Sequence, residues 1–215
     1  MSDLLKEQAY HKLMAMILSA KIEEGKMYSL NKVTENLGLS RTPVRDALQR
    51  LNDEKRIDIL PSRVFCLHVM DDDELHQRYH FSNAIEGYAI MHLIELCKTD
   101  PKNRYIIELE RLLAEMEHAD LDEMSFKDFY ELDNDFHNAL IKSVGDEFFN
   151  NVSKENLGFI DHPEIHLSGK YLDRRQILNY HQRIIEAIQK KDVYAGYEAI
   201  MEHGKYVYEM YLANK

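Results

Sequence analysis

Apolar residues recur at spacings of three and four along most of this chain, the signature of helices with one buried face. Over residues 3–22 that face is Leu5, Tyr10, Leu13, Met14 and Ile17. Glu24-Gly25-Lys26 interrupts it, a short second helix follows over about 30–37, and Gly38-Leu39 forms a tight turn. A third helix opens at Ser40, a residue type suited to capping, with Pro43 in the first turn, where its missing N–H costs nothing. Val44, Ala47, Leu48 and Leu51 then fall on one face. After Leu51 the period changes: residues 56–60 and 64–69 read as two short strands around a turn at Pro61-Ser62-Arg63. Three helices followed by a hairpin predict a winged helix-turn-helix over residues 1–70.

Asp71-Asp72-Asp73 marks the boundary, since carboxylates favour the start of a helix. Over residues 71–215 the helical period returns and predicts an antiparallel bundle of six or seven helices. The clearest run over about 73–98, 101–117, 125–143, 170–190 and 192–213. The period weakens between residues 145 and 168, with a turn expected near Pro163. The fold class is therefore mainly α: an N-terminal winged helix-turn-helix followed by a helical domain.

Composition narrows the picture. An apolar content of 45% supports a real core, and a charged content of 30% argues against a membrane protein. There is no apolar stretch of membrane-spanning length and no signal-peptide pattern, so a cytoplasmic location is expected. Cys66 and Cys97 have no metal-binding or redox spacing and are expected to be reduced thiols. The net charge of −11 argues against nucleic acid until it is divided along the chain. Residues 1–70 carry 11 Lys and Arg against 9 Asp and Glu, whereas residues 71–215 carry 16 against 29. The acidity belongs to the C-terminal part, and the N-terminal part can present a basic surface.

The third helix supplies that surface. Arg41, Thr42 and Arg45 cluster at its start, away from the apolar face. Two guanidiniums and a hydroxyl at a helix N-terminus suit phosphates and base edges in a major groove. Arg41 and Arg45 would contact phosphate or guanine, Ser40 and Thr42 would anchor on the backbone, and Arg63 would reach a phosphate or the minor groove from the hairpin. Leu30, Val33, Leu37-Gly38-Leu39-Ser40-Arg41-Thr42-Pro43-Val44-Arg45, Ala47-Leu48 and Leu51 resemble the DNA-binding domain of the GntR family of bacterial transcriptional regulators. That family usually has a glycine shortly after the recognition helix, where this chain has Lys55. Its wing usually carries Arg-Gly, where this chain has Arg63-Val64.

The C-terminal part carries a second constellation. Asp133 and His137 are four apart, so they share a helix face, and Leu140 and Ile141 turn that face inward. His181 precedes Ile184, Ile185 and Ile188, and His203 lies between Ile200 and Val207, so both also point inward. A lone histidine on an apolar face is more often a hydrogen-bonded core residue, and Asp133 alone could be an ion-pair partner. Together they can converge on a divalent transition metal, Zn, Ni, Fe or Mn. The arrangement Asp-x-x-Phe-His, then His181 opening an Ile-rich run, then His203 near the last helix end, resembles the helical FCD-type effector domain of FadR-like GntR regulators. That resemblance implies that Asp133, His137, His181 and His203 hold a metal. The group often has an arginine four residues before the glutamate matched by Glu86, where this chain has Ser82. Ser82, Asn83 and Glu86 are the candidate effector-pocket residues, with His80 and Tyr88 nearby.

Other polar clusters carry less. Asp161-His162-Pro163-Glu164 and His166 sit in the expected turn as solvated or pocket-rim groups, and Arg174-Arg175 and Lys190-Lys191 read as solvated helix faces. The favoured function is a DNA-binding transcriptional regulator, dimeric on a palindromic operator. Its DNA binding would be controlled by a small organic acid held near the metal. Two alternatives stay open: a metal-dependent hydrolase or oxygenase built on the Asp and His cluster, and a regulator that senses the metal itself.

Overall fold

A stripe of small and aliphatic residues, Ala9, Leu13 and Ile17, drives the first helix α1 (Ser2–Leu18) into the core of the N-terminal unit. The stripe runs through Ala9, so Leu5 lies outside it and stays 37% exposed. α1 stops four residues before the expected end. Ser19 Oγ turns back onto Ala15 O at 2.6 Å, Lys21 N bonds Met16 O at 2.9 Å, and the chain leaves the helix so that Ile22 enters the core. The computed structural model describes residues 2–19, 21–157 and 173–213. The chain divides into two compact units, residues 1–71 and 72–215.

In the first unit α1 is followed by β1 (Tyr28–Ser29), α2 (Leu30–Leu37), α3 (Arg41–Asp53), β2 (Ile57–Leu60) and β3 (Val64–Leu67). Gly38 ends α2 in the left-handed region, with φ 63°, which glycine adopts without steric cost. Ser40 has the extended backbone of a helix N-cap, yet its hydroxyl makes no capping hydrogen bond. Val44, Ala47, Leu48 and Leu51 are all buried, as the spacing requires. At the far end of α3, Lys55 takes φ 52°, a left-handed turn achieved without glycine.

β2 and β3 pair antiparallel from Ile57↔Leu67 to Leu60↔Val64, leaving a three-residue tip in which Ser62 and Arg63 have φ 70° and 60°. The wing thus turns through two left-handed side-chain-bearing residues, at about 1 kcal/mol or more each. β1 adds a third strand, giving the order β1-β3-β2. Two residues show no alternation, which is why the hydropathy pattern does not reveal it. Its anchor is Tyr28 stacked on Phe65 at 5.8 Å.

The second unit contains six helices among the described residues: α4 (Asp72–Thr99), α5 (Arg104–His118), α6 (Phe126–Lys142), α7 (Glu147–Leu157), α8 (Arg174–Lys190) and α9 (Val193–Ala213). Their starts are chemically marked. Acidic Asp72, Asp73 and Glu74 open α4, Asn103 accepts from two backbone N–H groups of α5, Ser125 caps α6, and Asp173 caps α8. Leu93, Ile94, Leu109, Phe136, Leu140, Ile184, Ile188 and Ile200 form a continuous core. α4 and α9 cross closely at Gly196, where a Cβ would lie 2.4 Å from Ile94 Cδ1. Arg174 departs from the expected solvated face: its guanidinium donates to Leu121 O and Met124 O at 2.7 and 2.6 Å and ties the loop before α6 to α8. Arg175 pairs with Asp122 at 2.9 Å. Residues 161–166, with their acidic and histidine cluster, and the turn near Pro163 lie outside the described residues.

Candidate DNA-binding face and metal centre

The exposed start of α3 carries Ser40, Arg41, Thr42 and Arg45, all open to solvent. Arg45 keeps 72% of its side-chain surface and lies 3.6 Å from its neighbour Asp46, a surface pair of little energetic weight. Arg41, Thr42 and Arg45 share a hollow of about 410 Å³ with Arg63 from the wing tip. The fold thereby brings the wing arginine beside the recognition-helix arginines. Leu30 N donates to Arg63 O at 3.0 Å, which fixes the wing tip to the start of α2. Asn31 and Gln49 line the same hollow and were not singled out from the sequence. Gln49 was legible there, four residues beyond Arg45 and so on the same helix face.

In the second unit α6, α8 and α9 bring together Asp133, His137, His181 and His203, one ligand atom from each lying within 4.8 Å of the others. His181 is fully buried, and His203 and Asp133 nearly so. His181 Nε2 lies 3.3 Å from Asp133 Oδ1 and His137 Nε2 3.9 Å from it. The rings of His137 and His203 stack at 4.9 Å, while His181 stacks on Phe136 at 4.1 Å. Nε2 of His181 and Nε2 of His203 are buried with no hydrogen-bond partner among the described residues. Two such orphaned nitrogens cost about 1–3 kcal/mol each, a penalty that a cation between them removes.

Electrostatics keep those nitrogens available. Burial, helped by His203 and His137, holds the His181 imidazole well below its ordinary value. Burial and His137 push His203 down to about 3, against the opposing pull of Glu86. Both rings are therefore neutral ligands at physiological pH. Three imidazoles and one carboxylate form a donor set that suits a borderline transition metal.

Ser82 and Glu86, from the buried side of α4, stand behind this cluster. Glu86 Oε2 meets His137 Nδ1 at 2.7 Å, and Ser82 Oγ donates to Glu86 Oε1 at 2.7 Å. Burial pushes the Glu86 carboxyl up, but the His137 imidazole and the Ser82 hydroxyl outweigh it and hold the group below the usual carboxylate range. A carboxylate on the far nitrogen of a histidine fixes the tautomer that aims Nε2 at a metal. His181 has a softer outer partner, Met116 Sδ, 3.3 Å from its Nδ1. Asn83 is half-buried beside Gly204, the neighbour of His203. Tyr88, expected near the pocket from the sequence, is 53% exposed.

Comparison with known proteins agrees with this geometry. The FCD-domain profile matches residues 77–205, and the profile of bacterial regulatory proteins of the gntR family matches residues 5–64. The chain belongs to the GntR family of transcriptional regulators and carries an FCD domain. Among its relatives, this GntR regulator is 27% identical over 190 residues to the gluconate operon transcriptional repressor of Bacillus subtilis, covering 85% of this chain and 74% of that protein. It is 23% identical over 197 residues to the repressor RspR of Escherichia coli, covering 92% and 84%. The solved structure of E. coli McbR/YncC superposes with a TM-score of 0.78 at 17% identity, covering 98% of this chain and 99% of the other. A metal-free FCD domain, that of TM0439, superposes on 68% of this chain and 96% of its own, with a TM-score of 0.56 at 18% identity. GntR regulators bind DNA operators, and the domains and relatives are regulators, not enzymes. No helix among the described residues is long and apolar enough to cross a membrane.

Proposed function

We propose that this GntR regulator is a cytoplasmic homodimer that binds a palindromic operator through residues 1–70. Residues 71–215 would hold the effector site and the dimer contact. Ser40, Arg41, Thr42, Arg45 and Arg63 contact the DNA. Asp133, His137, His181 and His203 hold a divalent transition metal, one of Zn, Ni, Fe or Mn, and α4 contributes Ser82, Asn83 and Glu86 to the wall of the effector pocket. The observation that carries this reading is the pair of buried, neutral imidazole nitrogens without hydrogen-bond partners, facing Asp133. When bound, the metal supplies coordination positions for the carboxylate or hydroxyl of a small organic acid. Glu86 orients His137. An aldonic acid of the gluconate type is the first effector to try, given the gluconate operon repressor among the relatives. Ligand binding changes operator affinity only to the extent that the acid prefers one arrangement of the dimer.

The test measures operator affinity by fluorescence anisotropy on the full chain, as isolated, after chelation, and with gluconate added. The expected result is a gluconate response that needs the metal and disappears in His137→Ala. A response to metal alone, with no effect of any acid, would replace this reading with metal sensing. Retention of stoichiometric metal by His137→Ala would remove that residue from the ligand set.

A further inference from the structure

A second histidine cluster lies on α4, apart from the buried centre. His76 and His80 are both exposed, sit one turn apart, and meet edge to face with ring centroids 4.3 Å apart. Their Nε2 atoms are only 2.9 Å apart. Two ring nitrogens at that distance cannot both present lone pairs to each other; a proton or a cation must lie between them. His76 is oriented from behind by Tyr208 of α9, whose hydroxyl is 3.3 Å from Nδ1. Tyr208 is itself held by Tyr79, stacked on it at 4.6 Å. This is the arrangement of a metal-binding histidine with an outer hydrogen-bond partner.

We infer that His76 and His80 form a solvent-facing bidentate chelate for a divalent copper or nickel ion. In the metal-free protein this spacing is that of an N–H···N hydrogen bond, and it also fits a chelate. With bonds of about 2.0–2.1 Å, two nitrogens 2.9 Å apart subtend close to 90° at the ion, whereas a tetrahedral site would hold them about 3.3 Å apart. Right angles occur in octahedral, tetragonal and square-planar coordination, and among the divalent ions that adopt them Ni²⁺ and Cu²⁺ hold imidazole most tightly. On binding, both Nε2 atoms coordinate and each neutral ring keeps its proton on Nδ1. His76 Nδ1–H then donates to the Tyr208 hydroxyl oxygen. Asp73 lies three residues before His76 on the same helix stripe and would offer a carboxylate for a remaining position. Water fills the others. The site owes nothing to the buried cluster and stands whatever that cluster holds.

The test titrates Cu²⁺ into the full chain and follows it by electron paramagnetic resonance and calorimetry, beside the variant carrying His76→Ala and His80→Ala. Both side chains are exposed, so folding is preserved, and circular dichroism checks it. The wild type is expected to bind one more equivalent than the double variant, with a tetragonal signal showing nitrogen hyperfine structure. Loss of one arm, as in His80→Gln, should weaken that equivalent roughly 100-fold, because the second nitrogen is delivered intramolecularly. Tyr208→Phe should weaken it about tenfold, as expected for an outer partner. Equal copper stoichiometry and spectra in wild type and double variant would overturn the inference.

Discussion

The Glu86→Gln substitution isolates the outer support of the proposed metal centre. Glu86 is buried, with one oxygen 2.7 Å from His137 Nδ1 and the other accepting from Ser82 at 2.7 Å. Glutamine keeps the shape and one acceptor for His137 but removes the charge. A hydrogen bond to a buried carboxylate contributes about 1.5–3 kcal/mol, and a neutral one about 1 kcal/mol. The difference, about 0.5–2 kcal/mol, would be felt mainly when His137 holds a metal. Together Glu86 and Asp133 would also balance the two charges of a divalent ion held there, and glutamine would leave that balance one charge short. The expected loss is about twofold to thirtyfold in metal affinity, its upper part within the range found for outer partners of metal-binding histidines.

Competition against a chromophoric chelator measures that affinity on the full-length protein. Thermal melting of the metal-stripped wild type and variant separates a metal effect from a folding effect. Weakened metal binding with closely similar metal-free melting supports a positioning role for Glu86. Unchanged metal affinity in Glu86→Gln would refute the reasoning, since the carboxylate would then be a partner of His137 with no bearing on what His137 holds.

Three further outcomes are expected. Arg45→Ala should weaken operator binding by about 1–3 kcal/mol if Arg45 reads a base, and an unchanged gel-shift affinity would take it out of the interface. The metal-stripped protein should lose stability on acidification. His181 and His203 are held below the unfolded value of about 6.5, so the unfolded chain takes up protons that the folded chain refuses; the stability is complete above that pH and drains away below it. Between about pH 7.5 and 5.5 the two together should cost a few kcal/mol, on the order of 1 per ring, visible as a falling urea midpoint, and a flat profile would show that the rings protonate in place. Lys55→Gly should stabilise the N-terminal unit by about 0.5–1 kcal/mol, because the φ of 52° costs lysine more than glycine. A lowered melting temperature would mean that the Lys55 side chain makes a contact outweighing that relief.

The sequence made the helical elements legible because each buries one side. Val44, Ala47, Leu48 and Leu51, or Ile184, Ile185 and Ile188, can be read directly as faces. Features set by geometry between elements stayed out of reach. β1 is two residues held by Tyr28 on Phe65, too short for any period. The shift of the α1 stripe from Leu5 to Ala9 depends on how closely α1 packs on α3, which a count of apolar residues does not record. Arg174 looks like any surface arginine until two carbonyls of a neighbouring loop are seen to accept from it.

The candidate centre shows the same division. The spacing of Asp133 and His137 and the inward faces of His181 and His203 place four ligand-type residues toward one core, because helical period converts sequence distance into direction. Direction does not give convergence. That α6, α8 and α9 bring those faces to within 4.8 Å of one another follows from their packing. The role of α4 was hidden further. Glu86 and Ser82, four apart, read from the sequence as lining for a ligand pocket. In the fold they also bond to each other and, through Glu86, to His137, so a pair of polar residues on the longest helix stands behind a histidine 51 residues away as well. A buried acid in such a helix has few stable options: a paired base, or a shifted pKa with loss of charge. His137 is the base that lets Glu86 remain ionised, and Glu86 in turn fixes which nitrogen of His137 faces the cluster. The two residues therefore form one functional unit, and substitutions at either should be non-additive in metal affinity.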